Sequence, residues 1–255
     1  MAASQAQTPQ FEDNPEIFDR AFVKAKQTFA TGRTKPYNYR MQQLKNLKDG
    51  LTNMRPELDR ALTQDLGKET FVNWMFEFLL IEREINHAME NLKDWMEDVC
   101  VDTPMAIGPA KSYIQREPLG VVVILGAWNF PYSTAIGPMV DAMAAGNTVV
   151  LKPSELAPNV AQATELLFKK YLDPNAFLCV NGGVNVAVRA TQAKADLIVF
   201  TGSTEKGKLV AKAAAENLVP VMLELGGKSP MIVDKSVDLE YAAAKAAQHS
   251  FFNSG

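Results

Sequence analysis

The chain is poor in the residues that staple small proteins together or bind metals. Its 255 residues include two cysteines, Cys100 and Cys179, far apart and with neither a Cys-x-x-Cys spacing nor a nearby histidine. That argues against a disulfide framework and against a zinc site, and both thiols read as buried small hydrophobes. Lysine and arginine are scattered rather than gathered into a stripe, and the net charge is -3, so nothing attracts a phosphate backbone and a nucleic-acid partner is not expected. The apolar run Val121 to Ala127 falls far short of the roughly 20 residues that cross a bilayer. The start MAASQAQTPQFEDN has no signal-peptide core, and a cytosolic chain is the default expectation. Internal repeats and low-complexity tracts are also missing.

What is present is enough apolar material for a large core, 47% of the residues. Residues 1 to 14 are polar and read as a loose tail. Asn14-Pro15 then supplies an N-cap followed by a proline at the first helical position. From Pro15 to about Asp98 the pattern is helical throughout. Trp74, Phe78, Ile81, Ile85, Met89, Leu92 and Met96, spaced by threes and fours, form one core-facing stripe.

Pro104 to Pro118 is a proline- and glycine-rich break. Beyond it short β-rich runs alternate with helical ones, which is the pattern of an α/β domain with a parallel sheet and flanking helices. The strands are expected at Val121–Leu125, Thr148–Leu151, Phe177–Val180, Leu197–Thr201 and Val221–Leu225. Helices are expected at Thr134–Ala145, Asn159–Tyr171, Val184–Ala193 and Glu205–Asn217, each long enough for a right-handed crossover. Ligands of such a sheet bind beyond the carboxyl ends of its strands, so the residues just after each strand carry the functional reading.

After the first strand, Gly126-Ala127-Trp128-Asn129-Phe130-Pro131 holds a carboxamide in a proline-terminated turn. Asn129 could donate to the oxyanion of a tetrahedral intermediate, or merely shape the turn. After the second, Leu151-Lys152-Pro153-Ser154-Glu155 sets a cation and a carboxylate three residues apart. Glu155 could accept from ribose hydroxyls while Lys152 reaches the sugar or a phosphate. Alternatively the cluster starts a helix, with Ser154 as cap and Glu155 in the first turn.

After the fourth strand, Gly202-Ser203-Thr204-Glu205-Lys206-Gly207 leads directly into a helix, an anion site made of backbone N–H groups and a helix dipole. It lacks the middle glycine of the usual dinucleotide fingerprint, and a plain strand-to-helix loop would look similar. After the fifth, Glu224 stands between Leu223 and Leu225 ahead of Gly226-Gly227. A carboxylate in an apolar setting has a raised pKa suited to general-base work near neutral pH, and the alternative is a structural glutamate.

The four segments AWNFP, LKPSE, FTGSTEKG and LELGGKSP, in this order on consecutive strand ends, resemble the aldehyde dehydrogenase superfamily. The match runs from about Phe22 to Gly255, and QREPLGV leading to Ala127-Trp128 is most similar to the class 3 branch for fatty or aromatic aldehydes. The resemblance implies a Rossmann-like NAD(P)-binding domain over residues 15 to 255. It makes Asn129 an oxyanion donor and Glu224 the base that activates water for thioester hydrolysis. Lys152 and Glu155 become the adenine-ribose contacts, and Gly202 to Gly207 the nucleotide loop. Ser203 lies near the pyrophosphate, with Trp128, Thr204 and Leu225 also beside the nucleotide. NAD is the expected cofactor, with NADP possible, since a glutamate at the ribose prefers a 2′-hydroxyl to a 2′-phosphate.

The family places its nucleophile in Phe-x-Asn-x-Gly-Gln-x-Cys, and this sequence ends Phe251-Phe252-Asn253-Ser254-Gly255. Neither cysteine matches the motif. The expectation is that these 255 residues, without the catalytic domain, do not oxidise an aldehyde alone, while a full-length protein would be a homodimer. Two other readings remain open: a relative that reduces acyl phosphates or acts on semialdehydes, disfavoured by Glu224, and a non-catalytic nucleotide-binding or regulatory short form.

Overall fold

The computed structural model describes residues 8–254, so the first half of the polar tail lies outside it. Five helices come first: α1 (Pro15–Ala30), α2 (Tyr37–Asn53), α3 (Arg55–Leu66), α4 (Thr70–Asn73) and, after a π-helical turn at Trp74–Phe78, α5 (Leu79–Trp95). Asn14 caps α1 as its position suggests, its side chain accepting from the Glu16 N–H at 3.0 Å. The tail is not loose where it meets α1. The Asp13 carboxylate accepts from the N–H groups of Val186 and Asn185 at 3.1 and 3.2 Å, and those backbone hydrogen bonds outweigh its desolvation and hold its carboxyl below the usual range.

The helical stretch is broken where the sequence pattern ran on: Gly67, at φ 64, ends α3 in the left-handed conformation. The apolar stripe holds at Phe78, Ile81, Ile85 and Leu92, all buried, but Trp74 and Met96 at its ends are exposed. A two-stranded antiparallel hairpin follows, β1 (Val99–Val101) with β2 (Ser112–Ile114). It occupies part of the segment read as an irregular break. Cys100 lies on it and is exposed, against the expectation of a buried thiol, because no layer covers the hairpin among the described residues.

The main sheet has five parallel strands: β3 (Val121–Leu125), β4 (Thr148–Lys152), β5 (Phe177–Cys179), β6 (Leu197–Gly202) and β7 (Val221–Leu225). They lie in the order β5-β4-β3-β6-β7. Between them run α6 (Ser133–Ala144), α7 (Pro158–Tyr171), α8 (Val184–Thr191) and α9 (Thr204–Ala215), each within a residue or two of its expected span. Alternation decides the layers. Val122, Ile124, Val149 and Leu151 pack against α2, α3, α5, α6 and α7, whereas Val121, Val123, Leu125 and Val150 pack against α1, α8 and α9. Strands covered on both faces read as continuous apolar runs. The chain winds outward from β3 to β5, then crosses back to β6 on the other side of β3. That reversal opens a crevice at the carboxyl ends of β3 and β6, where doubly wound sheets bind ligands. A last helix, α10 (Leu239–Phe251), buries none of its residues. No helix of the described residues is long and apolar enough to cross a membrane.

Candidate nucleotide and active site

All four chemically marked segments leave the sheet at this carboxyl edge. Leu125 pairs with Lys152 on one side and Phe200 on the other, and Glu224 and Leu225 pair with Thr201 and Gly202. Asn129 therefore follows β3 and Glu224 is the penultimate residue of β7 two strands away, about 10 Å at the usual spacing.

The β3–α6 turn is tightly tied. The Gly126 N–H donates to the Lys152 carbonyl at 3.1 Å, and the Ala127 N–H to the Thr134 hydroxyl at 3.1 Å. The Asn129 main-chain carbonyl accepts from the Lys68 ammonium at 2.5 Å and from the Asn253 carboxamide at 3.2 Å. Its own side chain is half-buried and makes no hydrogen bond among the described residues, so this donor is free for a ligand. Trp128 beside it is exposed.

Lys152 is buried, with its ammonium donating to the Pro153 carbonyl at 3.0 Å and forming an ion pair with Glu155. Glu155 is the wetter partner, at 36% side-chain exposure, and so is the one a sugar hydroxyl can reach. The helix-cap alternative for Ser154 fails. Its hydroxyl accepts from the Leu156 N–H within a turn, and α7 starts later, at Pro158. The start of α7 is held instead by Asp65, whose carboxylate accepts from the Val160 N–H at 2.8 Å and from the Asn159 carboxamide at 2.6 Å.

In the β6–α9 turn, Ser203 is the N-cap, accepting from the Lys206 N–H at 3.3 Å, and Thr204 opens the helix. Both are exposed, as an anion site at a helix start requires. Gly207 is buried, and a Cβ there would stand 2.6 Å from Leu225 Cδ2, so glycine lets α9 sit directly on β7. Gly202 is excluded from larger residues in the same way by the Phe200 ring, 2.5 Å from where a Cβ would be.

Glu224 departs from its expected setting: it and Leu225 are exposed on the edge strand. The two flanking leucines do not bury it, because strand neighbours point to the opposite face. Cys179 is on β5, at the far edge of the sheet from Glu224, and burial pushes its thiol well above the usual range.

Two residues with no functional reading in the sequence also reach the site. Glu77 is buried, its carboxylate accepting from the Ser133 N–H at 2.8 Å and facing Lys68 at 3.4 Å. Burial raises the Glu77 carboxyl and lowers the Lys68 ammonium relative to their ordinary values. A usable signal did exist: Glu77 sits three residues after Trp74 and four before Ile81, a charge on an otherwise apolar helical face.

A five-stranded doubly wound sheet, with a capped helix start and an acid–base pair at its switch point, defines a nucleotide-binding α/β domain. The family is settled by sequence: residues 5–255 match the model of the aldehyde dehydrogenase family, and the chain belongs to it. A rat protein named aldehyde dehydrogenase, dimeric NADP-preferring, is 41% identical over 91% of this chain and 51% of its own length. Other mammalian matches carry the family 3 name, in keeping with the class 3 resemblance. The chain spans about half the length of the curated relatives it matches. Among solved structures, the substrate-bound state of a Staphylococcus aureus aldehyde dehydrogenase superposes with a TM-score of 0.90 at 38% identity, over 93% of this chain and 52% of that one. The NAD+ complex of a Bacillus cereus aldehyde dehydrogenase gives 0.85 at 29% identity, over 95% and 50%.

Proposed function

We propose that residues 15–255 form the NAD(P)-binding domain of an enzyme that oxidises an aldehyde to a carboxylic acid through a thioester. The observation that carries this reading is the convergence of four complementary groups on one sheet edge: a free carboxamide, a Lys–Glu pair, a capped helix start and an exposed carboxylate. The residues fit a dinucleotide. Exposed Ser203 and Thr204 and the backbone of the Gly202–Gly207 turn would hold its phosphates. Glu155, braced by Lys152, would accept from a ribose, and Trp128 and Leu225 would line the rest. A carboxylate at the ribose favours NAD, with NADP admissible if Glu155 swings aside.

A nicotinamide held by these residues would supply the hydride acceptor for the carbon to which the thiolate has added, leaving the thioester. Asn129 donates its carboxamide N–H to the oxyanion that forms when a thiolate adds to the aldehyde. Glu224 takes a proton from the water that releases the acid, and its exposure keeps it in contact with that water. Neither thiol of this chain is placed for attack, Cys100 lying on the outer hairpin and Cys179 half-buried at the distant sheet edge. The nucleophile is therefore assigned outside residues 1–255, and these residues alone are expected to bind nucleotide without turnover. Homodimerisation and a cytosolic location of the complete polypeptide belong to the same proposal.

The test is aldehyde-dependent formation of reduced nicotinamide by the complete natural polypeptide. Asn129→Ala should lower kcat by about a hundredfold or more. Nucleotide binding without any turnover would put a binding or regulatory role in its place.

A further inference from the structure

We propose that the buried Lys68–Glu77 pair is a positioning device for the Asn129 donor, a clamp that grips both ends of the turn carrying it. The inference rests on the oxyanion role proposed for Asn129. Lys68 follows Gly67, where the left-handed turn redirects the chain out of α3, and the Thr63 hydroxyl donates to its carbonyl at 2.9 Å. Its ammonium then spans three groups: the Asn129 carbonyl at 2.5 Å, the Glu77 carboxylate at 3.4 Å and the face of the Phe130 ring, 4.3 Å from the centroid. The other carboxylate oxygen of Glu77 takes the N–H of Ser133, the first residue of α6. One ion pair thus holds the carbonyl at the start of the turn and the N–H at its end.

Two features argue that this pair sets geometry rather than adding bulk stability. Both side chains are nearly or wholly buried, and desolvating such a pair commonly costs as much as its attraction returns, so apolar residues would stabilise the site as well or better. Glu77 also lies in the π-helical turn Trp74–Phe78, whose extra residue rotates its side chain relative to a regular helix. The Asn129 carboxamide has no hydrogen bond of its own among the described residues. Its direction is consequently set through its main chain, and pinning the Asn129 carbonyl fixes the peptide plane from which the side chain departs. The Asn253 carboxamide adds a second, longer contact to the same carbonyl.

The experiment is a double-mutant cycle in the complete natural polypeptide with NAD and a saturating aldehyde, combining Lys68→Met with Asn129→Ala. Lys68→Met alone should lower kcat about tenfold or more, the scale of losses from misplacing a catalytic group, with KM for NAD unchanged. Lys68→Arg should recover part of the loss. In the Asn129→Ala background, Lys68→Met should add less than about twofold, because its route to the chemistry is already gone. Equal fold losses in both backgrounds would overturn the inference while leaving the role of Asn129 intact. An Asn129→Ala enzyme of unchanged kcat would overturn the oxyanion assignment itself, and the clamp with it. If Lys68→Met does not fold, Lys68→Arg and Glu77→Gln carry the same cycle.

Discussion

Lys152 and Glu224 hold equivalent places, each near the carboxyl end of a strand in one parallel sheet, yet they live in opposite environments. On β4 every residue is buried, and Lys152 is enclosed with its ammonium held by the Pro153 carbonyl and the Glu155 carboxylate; on β7 most residues are exposed and Glu224 faces water. Strand pairing sets where a residue stands along the sheet. What surrounds it is set by the layers laid over the strand, which are complete around β3 and β4 and open around β7 and α10. Functional groups on the covered side are therefore preorganised by tertiary contacts on both faces, and those on the open side by strand pairing and the single layer of α9.

The contrast should be largest in stability. Ile124→Ala, in the middle of β3, should cost about 2–5 kcal/mol, while Leu239→Ala on α10 should stay within about 0.5 kcal/mol. Urea unfolding of the two variants checks this, and equal losses would mean that α10 is covered in solution. A smaller effect is expected from Ser203→Ala: loss of the α9 cap should cost about 1 kcal/mol, seen as a lower melting temperature.

Two carboxylates sharpen the comparison through pH. Asp13 is held below its ordinary value of 3.8, so its contribution is present at neutral pH and is lost as pH falls through that value to its lower folded one. Glu77 is raised above its ordinary 4.5 by burial, so its contribution is greatest in acid and is lost as pH rises from 4.5 to the higher folded value. Asp13→Asn should therefore flatten the stability profile on its acid side, and Glu77→Gln should flatten the fall above it. The smallest change is predicted for Glu224→Gln, whose stability should match the parent within about 0.5 kcal/mol, whatever it does to turnover.

The sheet was legible because its strands are largely apolar runs, buried throughout in β3 and β4 and bounded by glycine, proline or polar residues; even the mostly exposed β7 falls, like β3, on its expected bounds. The β1–β2 hairpin was not, since three-residue strands amid prolines leave no alternation to read. At the site, the strand-end segments declared themselves by local residue order. Lys68 could not, and Glu77 marked itself only as a charge on an apolar helical face; what each one holds was hidden, because their partners, Asn129 and Ser133, lie more than fifty residues away in sequence. Glu224 was expected in an apolar pocket because its chain neighbours are leucines, yet neighbours along a strand share no face with it.

Titration of NADH into the purified chain, followed by its fluorescence and repeated with Glu155→Ala, addresses most directly whether the strand ends form one nucleotide site. Saturable binding that Glu155→Ala weakens by about tenfold, the worth of a hydrogen bond to a charged group, is the predicted result. Absence of binding, or an affinity indifferent to Glu155→Ala, would contradict it.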